Sequence, residues 1–116
     1  LFAPCRDLEI FEERQIGEDF IDLVFVTGDT QAWTERLSRS LGPPTKPAGV
    51  NPDGEAKRIA KPFGGIRADQ TLFCKTFDET AVVAMFWPWS SGKMTTLKMF
   101  TLPASDLSPK KRFGLF

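Results

Sequence analysis

Residues 81–87 read AVVAMFW, an unbroken apolar run without a polar side chain in it. Side chains in a strand alternate between faces, so Thr80, Val82, Ala84 and Phe86 point one way and Ala81, Val83, Met85 and Trp87 the other. A strand with one wet face alternates apolar and polar residues; this one demands cover on both sides. A buried helix has the same apolar run, but the short length, the two valines and the turn signals at both ends favour a strand. Pro88 has no N–H to give to a ladder and should end it.

Strands flank this run. Residues 71–77 (TLFCKTF) connect to it through Asp78-Glu79, a short polar link suited to a hairpin, and residues 94–102 (MTTLKMFTL) follow the loop 88–93. Further upstream, residues 20–27 (FIDLVFVT) are rich in β-branched and aromatic side chains. Asp22 is the interior charge of that strand, which implies that part of one face reaches water or a partner. Residues 8–14 (LEIFEER) alternate weakly and suit an edge strand or an ordered arm, with charges that guard the edge against pairing. Residues 16–19 read as a turn.

The best helix opens at Gly28-Asp29-Thr30, with Asp29 or Thr30 as N-cap. Trp33, Leu37 and Leu41 form a narrow apolar stripe, and Gly42-Pro43-Pro44 is a strong stop. Residues 42–70 are a long connection broken by prolines and glycines, in which 53–61 (DGEAKRIAK) has room for one or two helical turns capped by Asp53. Residues 103–116 leave the sheet as a tail. Lys110-Lys111-Arg112 precede the apolar Phe113-Gly114-Leu115-Phe116, which is expected to pack on its own sheet or on a neighbour.

The predicted order is β-β-α-loop-β-β-β, a single α+β domain over residues 1–116. Its sheet is mainly antiparallel with about five strands, and one main helix lies on one face. Five strands span about 24 Å, whereas one helix is about 10 Å wide. Tail and loop supply part of the missing cover. A second copy of the chain, or a ligand, is expected to supply the rest, the first of these as a homodimer formed across the apolar sheet.

Composition narrows the chemistry. The chain lacks histidine and tyrosine, which removes Ser-His-Asp and Cys-His nucleophiles, histidine bases and the commonest zinc sites. No metal site and no cofactor are predicted. Cys5 and Cys74 show no metal spacing and read as two free thiols in a reducing cytoplasm, with one disulfide between them as the alternative. No apolar run approaches the roughly 18 residues of a membrane span, and no leader pattern marks secretion. Net charge is zero, but residues 1–35 hold nine acids against two bases, while the excess of bases lies after them. An acidic and a basic face, or halves that meet and cancel, both follow from that split.

The candidate ligand-binding residues are Lys61, Gly64, Gly65, Arg67 and Trp89. In Lys61-Pro62-Phe63-Gly64-Gly65-Ile66-Arg67, two glycines let backbone N–H groups converge on an anion, with Lys57, Arg58, Lys61 and Arg67 adding charge. The plain alternative is a flexible turn, since no helix follows the glycines as a phosphate loop requires. Trp89 lies beyond the strand end, where it is suited to stack on a planar ligand or to cap the core with Trp87. Ser90-Ser91-Gly92-Lys93 fails as a phosphate loop: Trp87 replaces the first glycine, Met94 the Ser or Thr, and a strand follows. Cys74 reads as a buried core thiol, with Lys75 on the opposite face. The acids Glu12, Glu13, Glu18, Asp19 and Asp22 read as a solvated face without a calcium-loop pattern. Phe73, Lys75 and Phe77 share a face but lack the motif of a nucleic-acid-binding sheet, so nucleic acid is not an expected partner.

These readings point to a non-enzymatic binding or self-assembly module that associates through its apolar sheet. The alternative is a small enzyme, or a subunit of one, that binds an anionic or planar molecule in a cleft between the sheet and the 42–70 loop.

Overall fold

A computed structural model describes residues 7–107. Its strands are β1 (Glu12–Ile16), β2 (Phe20–Val26), β3 (Thr71–Phe77), β4 (Thr80–Pro88) and β5 (Met94–Pro103). They form one antiparallel sheet in the order β1-β2-β5-β4-β3. Helix α1 (Thr30–Leu41) follows β2, and helix α2 (Gly54–Ala60) lies in the long connection before β3. The expected α+β architecture is therefore present, and the apolar run is a strand that ends at Pro88. β3 and β4 meet through Asp78 in the left-handed conformation (φ 56°), a backbone that Asp tolerates better than most residues.

One face of the sheet carries Ile21, Leu23 and Phe25 of β2, Leu97 and Met99 of β5, Ala84 and Phe86 of β4 and Phe73 of β3. The α1 stripe of Trp33, Leu37 and Leu41 is buried against it. Trp33 stacks on Phe25 with ring centroids 5.0 Å apart, and Phe86 meets Phe25 edge-on at 5.3 Å. Leu8 and Ile10 pack on the same face beside α1, and Asp7 pairs with Arg36 of the helix. Residues 8–11 are thus an arm, and the edge strand begins only at Glu12. α1 starts from a 3-10 turn, Thr27–Asp29. Asp29 is at the N-cap position without a side-chain cap bond, while the Thr30 hydroxyl donates to the Thr27 carbonyl at 2.6 Å. Gly42 (φ 82°) ends the helix as expected.

The second face differs from the expectation. Much of it was predicted to need cover from outside the chain. Instead α2, only seven residues long, buries Ala56, Ile59 and Ala60 against Leu72, Val83, Met85 and Phe100. Phe63, in the 3-10 turn after α2, stacks on Phe100, and Ile66 and Leu107 pack around the same cluster. Ala81, Val83, Ala84, Met85 and Phe86 are all buried within one chain. The physical reason lies in the connection, which is pinned rather than slack. Asp53 caps α2 by accepting from the Ala56 N–H at 2.9 Å. Lys46 pairs with Leu72 as an isolated antiparallel bridge, and its side chain is buried. The Lys46 ammonium donates to the carbonyls of Pro47 (2.8 Å), Ala68 (2.6 Å) and Gln70. Three donors meet three acceptors, and the Asp69 carboxylate adds a favourable charge interaction that partly offsets the cost of burial.

The edges are treated differently. β1 is exposed along its whole length, carries Glu12, Glu13 and Arg14, and is bulged between Glu13 and Gln15. Charge and bulge both oppose pairing with another chain. Among the described residues, the outer edge of β3 is bridged by Lys46 at Leu72. The basic and apolar tail beyond Leu107 lies outside the described residues.

Candidate functional site

Three of the five residues singled out in the sequence converge. Lys61, Gly64 and Gly65 line a concavity of about 490 Å³ together with Lys57 and Ile66. Lys57 and Lys61 are four residues apart, which places them on one side of α2 and its continuation. No carboxylate belongs to this lining. The glycine amides, however, face the chain. Gly64 N–H donates to the Lys61 carbonyl at 3.3 Å and Gly65 N–H to the Ala60 carbonyl at 3.1 Å. Both glycines have positive φ (96° and 92°), so they close the end of α2 in the manner of a left-handed helix stop. The charge available in this concavity is therefore that of the lysine side chains.

Arg67 stands apart from that lining. Its Nε reaches the Asp69 carboxylate at 3.4 Å in an exposed pair, and its backbone N–H donates to the Gln70 side chain at 2.8 Å. Trp89 is on a different part of the molecule. Its Nε1 donates to the Thr96 hydroxyl at 2.8 Å and its backbone N–H to the Met94 carbonyl. The ring folds back over the sheet and remains 37% exposed, with the Arg14 guanidinium 5.9 Å from its centroid. Lys98 lies similarly over Trp87 at 5.6 Å. The two tryptophans thus cap the second face beyond the reach of α2, each beside a cation. Below them, Asp22 is in register with Lys98, yet its Oδ1 is buried without a hydrogen-bond partner among the described residues.

A second concavity, also about 490 Å³, lies between the connection and the β3 edge, and sequence reasoning did not single out the residues that line it. Thr45, Glu55, Arg58, Cys74, Thr76 and Leu107 contribute to it. It occupies the place expected for a cleft between sheet and loop, with other residues in its walls. Cys74 is a free thiol on the face opposite Lys75, whose ammonium sits 5.2 Å from the Phe77 ring. Burial, and secondarily the charge of Glu55, pushes the Cys74 pKa up, so the thiol stays protonated at neutral pH. That is the reverse of what a nucleophilic cysteine needs. Cys5 lies outside the described residues.

Among the described residues, no group of three or more Cys, Asp or Glu is placed to hold a metal ion. No described helix is long and apolar enough to cross a membrane. No family model, no curated protein and no solved structure matches the chain.

Proposed function

We propose that the chain is a binding module rather than a catalyst, and that Lys57 and Lys61 hold a small anionic ligand above the Gly64-Gly65 turn. The observation that carries this reading is two ammonium groups on one side of a concavity whose lining has no carboxylate. An anion there keeps its charge compensated by side chains at the rim, so binding should be weakened by salt. Arg67 contributes only if it leaves Asp69. Trp89, beside Arg14, is the place for a planar ligand if one is taken up at the sheet end. Against catalysis stand the absence of histidine from the sequence and the protonated state of Cys74, the thiol that faces the second concavity. The free Cys74 thiol also supports residence in a reducing compartment, the cytoplasm.

Self-association across the sheet, the partner first expected, has less to gain than the sequence suggests, since Ala81, Val83, Ala84, Met85 and Phe86 of β4 are buried within the chain while Val82 and Trp87 stay half-buried. A thermal-shift screen against inorganic phosphate, nucleotides and organic acids tests the proposal. At least one should raise the melting temperature of the native chain, and the double substitution Lys57→Ala/Lys61→Ala should abolish that rise. A screen in which no anion shifts the melting temperature rejects it.

A further inference from the structure

We propose that the concavity between α2 and the outer edge of β3 is a second binding site, and that it takes a free aliphatic α-amino acid, with Glu55 receiving the ammonium group and Arg58 the carboxylate. This inference does not rest on the anion site at Lys57 and Lys61. Glu55 and Arg58 are three residues apart on α2, so the helix presents them on one side, and both line the concavity. Opposite charges at this spacing are near enough to pair with each other. Among the described residues, however, no ion pair joins these two or engages either of them. A carboxylate and a guanidinium thus share one hollow without neutralising each other.

Arg58 is held in place for this role. Its Nε donates to the Leu107 carbonyl at 3.2 Å, which anchors the guanidinium at the wall. The two terminal nitrogens have no partner among the described residues, and together they match the two oxygens of a carboxylate. Glu55 directs its charge toward the strand: after burial, that charge is what pushes the Cys74 pKa up. The acid and the base therefore address the same space, one toward β3 and one beside Leu107.

The other walls add no net charge. Lys75 belongs to the lining, but its ammonium turns to the opposite face of the sheet, over Phe77. Cys74 stays protonated and Thr76 is neutral, which leaves one acid and one base facing the hollow. A simple anion is repelled by Glu55 and a simple cation by Arg58, whereas a zwitterion satisfies both. Ile59 and Leu107 supply apolar wall for an aliphatic side chain. The volume of about 490 Å³ lies within the roughly 300–1,000 Å³ of small-molecule sites. Glu55 is exposed and Arg58 half-buried, so water screens both charges and the expected affinity is millimolar.

An NMR titration of the full chain with L-leucine tests this. Leucine should shift the Cys74, Thr76 and Leu107 amide resonances saturably. 4-Methylpentanoate, which lacks the ammonium group, and 3-methylbutylamine, which lacks the carboxylate, should each bind at least about tenfold more weakly. Glu55→Gln should weaken leucine binding by at least about tenfold, with the Phe73 and Lys75 amides, which face β4, reporting that the variant is folded. Lys57→Ala/Lys61→Ala should leave leucine binding unchanged, since those lysines line the other concavity. No saturable shift up to about 50 mM leucine overturns the proposal, as does equal binding of leucine by the native chain and Glu55→Gln. Loss of leucine binding in the double lysine variant also overturns it, because the ligand would then occupy the anion site.

Discussion

Phe63 stacks on Phe100 with ring centroids 3.6 Å apart and an interplanar angle of 28°. This contact brings the turn after α2 down onto β5 and closes the second face of the sheet beside Val83 and Met85. Phe63→Ala should lower stability by about 2 kcal/mol, less than a fully buried aromatic because Phe63 is only partly enclosed. Urea unfolding gives the value directly. An unchanged midpoint would mean that the turn does not seal the face.

Lys46 is the pin of the connection. Removing its ammonium leaves three carbonyls without their donor, and Lys46→Met should cost about 2–3 kcal/mol even though the aliphatic stem is kept. Lys46→Arg should not restore it, since a planar fork cannot address three acceptors gathered around one point. The midpoints of chemical unfolding for the two variants check both statements.

The Cys74 thiol has a definite pH signature. Its pKa in the fold is raised, so the unfolded chain loses its proton first. Stability from this group is whole below the ordinary thiol value of 9.0 and is lost as pH rises from there through the higher value in the fold. The native chain should therefore lose stability faster than Cys74→Ala as pH climbs above about 9. Parallel pH profiles would contradict the burial of this thiol.

Asp7 provides the acid counterpart. The hydrogen bond from Arg36 holds its carboxyl below the ordinary value of 3.8. The contribution of the pair is present above that value and is lost as pH falls through the depressed one. In an NMR titration, Arg36→Ala should move the Asp7 midpoint up toward the ordinary carboxylate range; an unmoved midpoint would show that the arm is not held there.

Much of this fold can be read from residues alone, and the exceptions have physical causes. The alternation of Val82, Ala84 and Phe86 against Val83, Met85 and Trp87 gives both faces of β4 correctly, because a period of two leaves no other assignment. The Trp33, Leu37 and Leu41 stripe, and the stops at Gly42 and Pro88, are equally local. The cover of the second face was harder to see. Ala56, Ile59 and Ala60 follow the i, i+3, i+4 spacing of a helix face, but small residues in a segment crowded with Pro and Gly look too slight to close a sheet. The Lys46 cage left no trace in the sequence, since its acceptors are carbonyls that every residue carries. At the candidate site, Lys61, Gly64 and Gly65 were legible as a group. The direction of the glycine amides was not, because the same Gly-Gly pair serves an anion nest or a helix stop.

The central claim is that one chain seals both faces of β4 without help. The concentration dependence of unfolding tests it most directly. Across a hundredfold range of protein concentration, roughly 1 to 100 μM, the expected urea midpoint is constant, as for a fold complete in a single copy. A midpoint that rises with concentration would contradict the account, because a second chain would then be completing the cover of the sheet.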